Sequence, residues 1–197
     1  MNMKTKDTRQ HILEVGYQLI ANKGFSSVGL TELLKAAQVP KGSFYHYFKS
    51  KEQFGVELIR GYFHNDHLRA KPLLEATDQS GYERLMNYWK FWIPNQSEAF
   101  ELKRSLVVAL AGEVSEQSEP MRAALEEGSQ QSIKRIVTAI EAGIADGSIK
   151  SQNSAQAAEL LYSLWIGASL VAKVRQDHGI FDLALRETEL KLSQGPN

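Results

Sequence analysis

Pro40 separates two short segments of helical periodicity and so sets the architecture of the N-terminal part. Before it, Leu30, Leu33, Leu34 and Ala37 fall at i, i+3, i+4 and i+7, which makes one side of a helix over residues 30–37 apolar. Proline has no amide hydrogen and a fixed φ. It therefore ends that helix near Gln38 and Val39 and suits the first turn of a new helix over 40–47. Glu32, three residues after Gly29, is placed to help cap the earlier helix. A longer helix over 7–22 precedes both, with Ile12, Val15, Gly16 and Leu19 on one face and Lys23 and Gly24 at its end. Ser50 and Gln53 match the S-x-x-E/Q capping box and open a fourth helix carrying Phe54, Leu58, Ile59, Tyr62 and Phe63.

Helical spacing continues over 80–93, 101–112, 119–145, 153–176 and 180–192, with Pro94, Pro120, Gly147 and Gly179 at the boundaries. No segment alternates apolar and polar residues for long enough to make a strand. The fold class is all-α, with about nine helices. A three-helix helix-turn-helix head is expected over 1–49 and a helical body over 50–197. At 197 residues, 43% of them hydrophobic, the chain can bury a substantial core.

Two readings of composition narrow the chemistry. The absence of cysteine removes disulfides, thiolate zinc sites, iron-sulfur clusters and cysteine nucleophiles together. Net charge is zero, but residues 1–60 hold nine basic side chains against five acidic ones, so a negatively charged partner is expected at the N-terminal end. The longest unbroken apolar run covers residues 106–111, well short of the roughly 18 residues a membrane span needs. The first residues contain no apolar run resembling a secretory signal, so a cytoplasmic protein with no membrane partner is expected.

The helix over 40–47 is suited to a DNA major groove. Phe44 and Phe48 lie on one side to anchor it, leaving Lys41, Gly42, Ser43, Tyr45 and His46 on the flanks and outer face. Lysine can reach guanine O6 and N7, hydroxyls can bond phosphates or base edges, and Gly42 permits close backbone approach. The exposed amides that open the next helix lie beside Lys49 and Lys51, a natural phosphate site.

The residues Gly24-Phe25 and the run from Leu30 to Glu52, including K-G-S-F-Y-H-Y-F-K-S-K-E, resemble the DNA-binding domain of the TetR family of bacterial transcriptional regulators. The resemblance implies that Lys41 and Gly42 meet base edges. It implies that Ser43, Tyr45, Tyr47 and Lys51 meet phosphates or nearby bases, and that Thr31 reaches the DNA from helix two. Gln38 stands where glycine is usual in the turn, and Pro40 where serine or threonine is usual. Segments 113–122 and 161–173 resemble the electrophile-sensing branch of the same family. With no cysteine, thiol-based sensing is excluded here, and a reversible small-molecule effector is expected instead.

Aromatic residues cluster in the body, and they have two readings. They can be core packing, or Trp89 and Trp92, at i and i+3, can line an effector cavity closed by Tyr88, Leu106, Tyr162 and Trp165. Phe63 and His67 would lie at its edge, and Lys173 would either meet an anionic group there or extend to solvent. Gly167, Ala168 and Ala172, with Phe181, Leu183, Leu185 and Leu190, suggest a four-helix homodimer interface. A two-fold dimer would set two recognition helices on a palindromic operator in double-stranded DNA. Glu113, Glu116 and Glu119 read as a solvated acidic edge, and His64, Asp66 and His67 lack further ligands for a metal. No cofactor or catalytic motif is present, so the competing classes, a small all-α enzyme or a helical adaptor, have less support.

Overall fold

The structure, a computed structural model, describes residues 3–93, 107–114 and 116–193, with side chains from residue 8 onward. Helix follows helix: α1 (Met3–Lys23), α2 (Leu30–Ala37), α3 (Lys41–Tyr47), α4 (Lys51–Leu74), α5 (Gly81–Trp92), α6 (107–114), α7 (Glu119–Ala145), α8 (Ser154–Arg175) and α9 (Gly179–Leu192). No described residue lies in a strand.

Three local expectations shift. α1 begins at Met3 rather than near residue 7, because no glycine or proline interrupts the preceding residues. Pro40 caps α3 from outside instead of opening it. Its φ of −70° suits a helix but its ψ of 154° is extended, and its carbonyl accepts the Ser43 amide at 2.9 Å. Glu32 does not cap α2; it forms an ion pair with Lys23 at 2.5 Å, and Gly29 caps with its backbone alone. Pro94 and residues 101–106 of the sixth expected helix lie outside the described residues, and the described part of that helix runs on to 114.

By packing, the chain divides into one unit of Met1–Tyr62 with Glu98–Gly128 and another of Phe63–Ser97 with Ser129–Asn197. In the first, Ile12, Ile20, Leu33, Phe44, Phe48 and Phe54 are fully buried. The rings of Phe44, Phe48 and Phe54 meet at centroid distances of 5.1, 5.2 and 5.7 Å. Gly16 admits them: a Cβ there would collide with the Phe54 ring. Arg9 pairs with Glu57 at 2.5 Å and lies over the Phe48 ring, tying α1 to α4. The His11 ring nitrogen Nε2 donates to the Ala37 carbonyl at 2.9 Å, where α2 ends.

The second unit is organised by its tryptophans. Trp89 and Trp165 stack at 5.0 Å with an interplanar angle of 12°, Trp92 packs edge-on against both, and Phe181 also stacks on Trp165, at 6.0 Å. Trp165 donates its indole hydrogen to Thr188 at 3.0 Å, which in turn donates to the Ala184 carbonyl, so α8 and α9 share a satisfied polar contact inside the core. α5 begins with a complete capping box at Ser80 and Glu83, and its Gly81 amide donates to Asp146 at 2.7 Å. A Cβ on Gly81 would strike the backbone of Gly143, so α5 and α7 meet there without side chains between them. Among the described residues, α8 alone is long and apolar enough by length and composition to cross a membrane, which its broken apolar runs did not reveal. Its Leu161, Tyr162, Trp165, Ala168 and Ala172 are instead buried in this core.

Candidate nucleic-acid interface

The aromatic anchor determines which side of α3 faces outward. Phe44 and Phe48 are fully buried, leaving Lys41, Gly42, Tyr45 and His46 exposed and Ser43 and Tyr47 half-buried. Tyr45 is 48% exposed for so large an aromatic, and its ring lies 5.8 Å below the Lys41 ammonium. A Cβ on Gly42 would meet nothing within 4 Å, so a partner can approach the backbone there. Thr31 is exposed in the first turn of α2. The turn before α3 requires a left-handed residue, and Gln38 supplies it at φ 54° without being glycine.

The start of α4 forms as expected at its cap and differently at its lysine. The Gln53 amide donates to the Ser50 hydroxyl at 3.0 Å, while the Gln53 side chain accepts the amide of Lys49 at 2.6 Å, one residue further out than in the usual box. Lys51 folds inward. Its ammonium donates to the Phe25 carbonyl at 2.6 Å and lies 4.5 Å from the centre of the Phe25 ring. Burial lowers its pKa, against the opposing pull of Glu113.

Glu113, read from sequence as part of a solvated edge, bonds instead to the turn after α1. Its carboxylate accepts the amides of Phe25 at 2.8 Å and Ser26 at 2.5 Å. Burial pushes its pKa up, but the bonds from Ser26 and Phe25 and the Lys51 charge outweigh that and hold it below the ordinary carboxylate value. Nothing in the spacing of residues 88 apart could have paired them.

Of the expected effector residues, Tyr88, Trp89, Trp92, Tyr162 and Trp165 come together in the tryptophan core, and all are buried. Burial raises the Tyr88 pKa most, with the Asp66 charge adding to it, so α4 brings an acidic group near this cluster. Asp66 faces Arg135 at 3.8 Å, and the Tyr162 hydroxyl donates to Ser129 at 3.1 Å. Periodicity did not single out Arg135 or Ser129. Phe63 is buried and His67 half-buried, whereas Lys173 is exposed. Leu106 lies outside the described residues.

A profile of bacterial regulatory proteins of the tetR family matches residues 12–58, and one of the tetracyclin repressor-like C-terminal domain matches residues 81–188. The chain belongs to the TetR family. It is 37% identical to the HTH-type transcriptional repressor NemR of Escherichia coli K12 over 187 residues, covering 94% of each chain. It is also 30% identical to the HTH-type transcriptional repressor DhaR of a Mycobacterium species over 181 residues, or 91% of this chain and 89% of DhaR. The crystal structure of reduced E. coli NemR superposes with a TM-score of 0.88 at 36% identity, over 96% of this chain and all of that one. In this TetR-family regulator, α2 and α3 are the helix-turn-helix, and α5 to α8 with most of α9 fall within the second matched segment.

Proposed function

We propose that this chain is a ligand-responsive repressor that binds a palindromic operator as a homodimer and leaves it when a small molecule binds the body. The outward face of α3 carries the reading. Lysine, glycine, tyrosine and histidine stand exposed on a helix whose other side is anchored by three buried phenylalanines. Lys41, Gly42, Tyr45 and His46 meet base edges and nearby phosphates in the major groove, while Ser43, Tyr47 and Thr31 contact its flanks. Lys51 contributes one ammonium hydrogen to its own fold and can offer the others to a phosphate.

The second copy is assigned to an apolar face of α8 and α9. Leu160, Leu170 and Val174 follow one side of α8, and Leu183 and Leu190 one side of α9, with Val174 76% and Leu190 65% exposed. Ala168, Ala172 and Phe181, expected at that interface, are buried inside the subunit because the phase of each helix turns them toward Trp165. Gly167 remains on the outer side of α8, where a Cβ would meet nothing within 4 Å. Two heads in such a dimer lie one DNA turn apart, about 34 Å.

The effector reading is supported by buried polar atoms with no hydrogen-bond partner among the described residues: Trp89 Nε1 in the core and His67 Nδ1 on α4. A small molecule with a hydrogen-bond acceptor would relieve such groups, each costing about 1–3 kcal/mol when left unmade. It acts by preferring a dimer whose heads are spaced wrongly for the operator.

The test is selection of bound sequences from a random duplex pool, followed by titration of the recovered duplex at several salt concentrations. A palindrome is expected, with log K falling by about 0.9 per phosphate neutralised for each unit of log salt. Recovery of no preferred sequence would overturn the reading in favour of a helical adaptor. The chain's three tryptophans all lie in the body core, so their emission reports effector entry without a label.

A further inference from the structure

Glu113 satisfies two backbone donors of the head from outside the helix-turn-helix. The turn at 25–27 follows α1, and its Phe25 and Ser26 amides both end on one carboxylate that belongs to α6. Gly24 makes the approach possible: it sits at φ +84°, and a Cβ there would lie 2.9 Å from Glu113 Oε2. The contact is wider than one residue. Gln117 accepts the Ser26 hydroxyl at 3.0 Å, and Ser118 donates its hydroxyl to Glu52 at 2.7 Å. Met121 covers Gly55, where a Cβ would lie 2.6 Å from its terminal methyl and 2.8 Å from the Phe25 ring.

Phe25 joins this patch to the DNA-facing residues. Its amide is held by Glu113, while its carbonyl and ring hold the ammonium of Lys51 at the N-terminus of α4. Displacing the carboxylate therefore frees the turn and removes the charge opposite Lys51 in one step. A carboxylate beside a phosphate-binding lysine would otherwise repel DNA; here its charge is taken up by two amides and that lysine.

We propose that Glu113 is a positioning residue for operator binding, fixing the turn at 25–27 and, through Phe25, the ammonium of Lys51. This rests on the DNA-binding reading above.

The test uses the full chain, the duplex recovered with the unsubstituted protein, and two variants that break the contact from opposite sides, Glu113→Gln and Gly24→Ala. Amide hydrogen exchange at Phe25 and Ser26 reports the contact, exchange at Leu33 and Phe48 reports the fold of the head, and fluorescence anisotropy reports affinity. In both variants the Phe25 and Ser26 amides are expected to exchange about tenfold faster with Leu33 and Phe48 unchanged, and affinity to fall on the order of tenfold. Three results would overturn the proposal: affinity within about twofold of the unsubstituted protein once those amides have opened, protection of the two amides in both variants, or loss of protection at Leu33 and Phe48 as well, which would make Glu113 a general structural support. If the unsubstituted protein recovers no duplex, it is the DNA-binding reading that fails, before any variant is made.

Discussion

Gln38 holds a left-handed conformation that costs a residue with a side chain roughly 1–2 kcal/mol. Gln38→Gly removes that strain but adds unfolded-state entropy, so a net gain of about 0.5–1 kcal/mol is expected, read as a higher urea midpoint with an unchanged slope. Tyr45 is the largest exposed aromatic on α3, and in the proposed complex its hydroxyl is the group that bonds DNA. Tyr45→Phe should weaken operator binding severalfold, by about 1 kcal/mol, without altering thermal stability; anisotropy titration beside a melting curve separates the two effects. The outward character of Lys41, Gly42, Tyr45 and His46 was legible in the sequence, because Phe44 and Phe48 fix the phase of a seven-residue helix. The inward turn of Lys51 was not, because its acceptor lies 26 residues away.

At the scale of elements, carboxylates hold helix starts and turns together, and their protonation should be visible in stability. Glu83 is lowered by the Ser80 amide and then its hydroxyl, Asp146 by the Ser148 hydroxyl and then the Gly81 amide, and Glu113 by its bonds to Ser26 and Phe25 against the cost of burial. Each folded pKa lies below its unfolded value, so the stabilisation is complete above about pH 5 and is lost as pH falls through the depressed values. Urea midpoints are expected to stay level from about pH 7 to 5 and then decline, with Glu113→Gln showing a shallower decline than the unsubstituted chain. The glycine contact between α5 and α7 is sensitive in another way. Gly81→Ala places a methyl group against the Gly143 backbone, which cannot yield as a side chain would, and a loss of about 1–3 kcal/mol in chemical denaturation is expected. The Ser50-Gln53 cap was readable as a motif because its partners are three residues apart; helix crossings were not, since a glycine in sequence does not say what it lies against.

At the scale of the whole molecule, the interface proposed on the apolar face of α8 and α9 is open to direct test. Leu170→Glu combined with Val174→Glu sets charges on the outward side of α8 while leaving the buried Trp165 side untouched. The variant is expected to sediment as a monomer with its helix content intact. Operator affinity should drop sharply and the salt slope fall to roughly half, because each monomer neutralises half the phosphates. An unchanged dimer in sedimentation would move the interface elsewhere on the body.

The sequence by itself determined the all-α class, the order of helices, the helix-turn-helix with its outward residues, and the exclusion of thiol chemistry. These follow from interactions within about four residues, from proline and glycine stereochemistry, and from which side chains are present at all. Only the tertiary structure decided that Trp89 and Trp165 stack as core, that Ala168 and Ala172 face inward while Leu170 and Val174 face out, and that Glu113 closes the turn at 25–27. Periodicity shows that a helix has a buried side, but the partner of that side, and the distant donor that a carboxylate finds, are selected by packing between segments far apart in the chain.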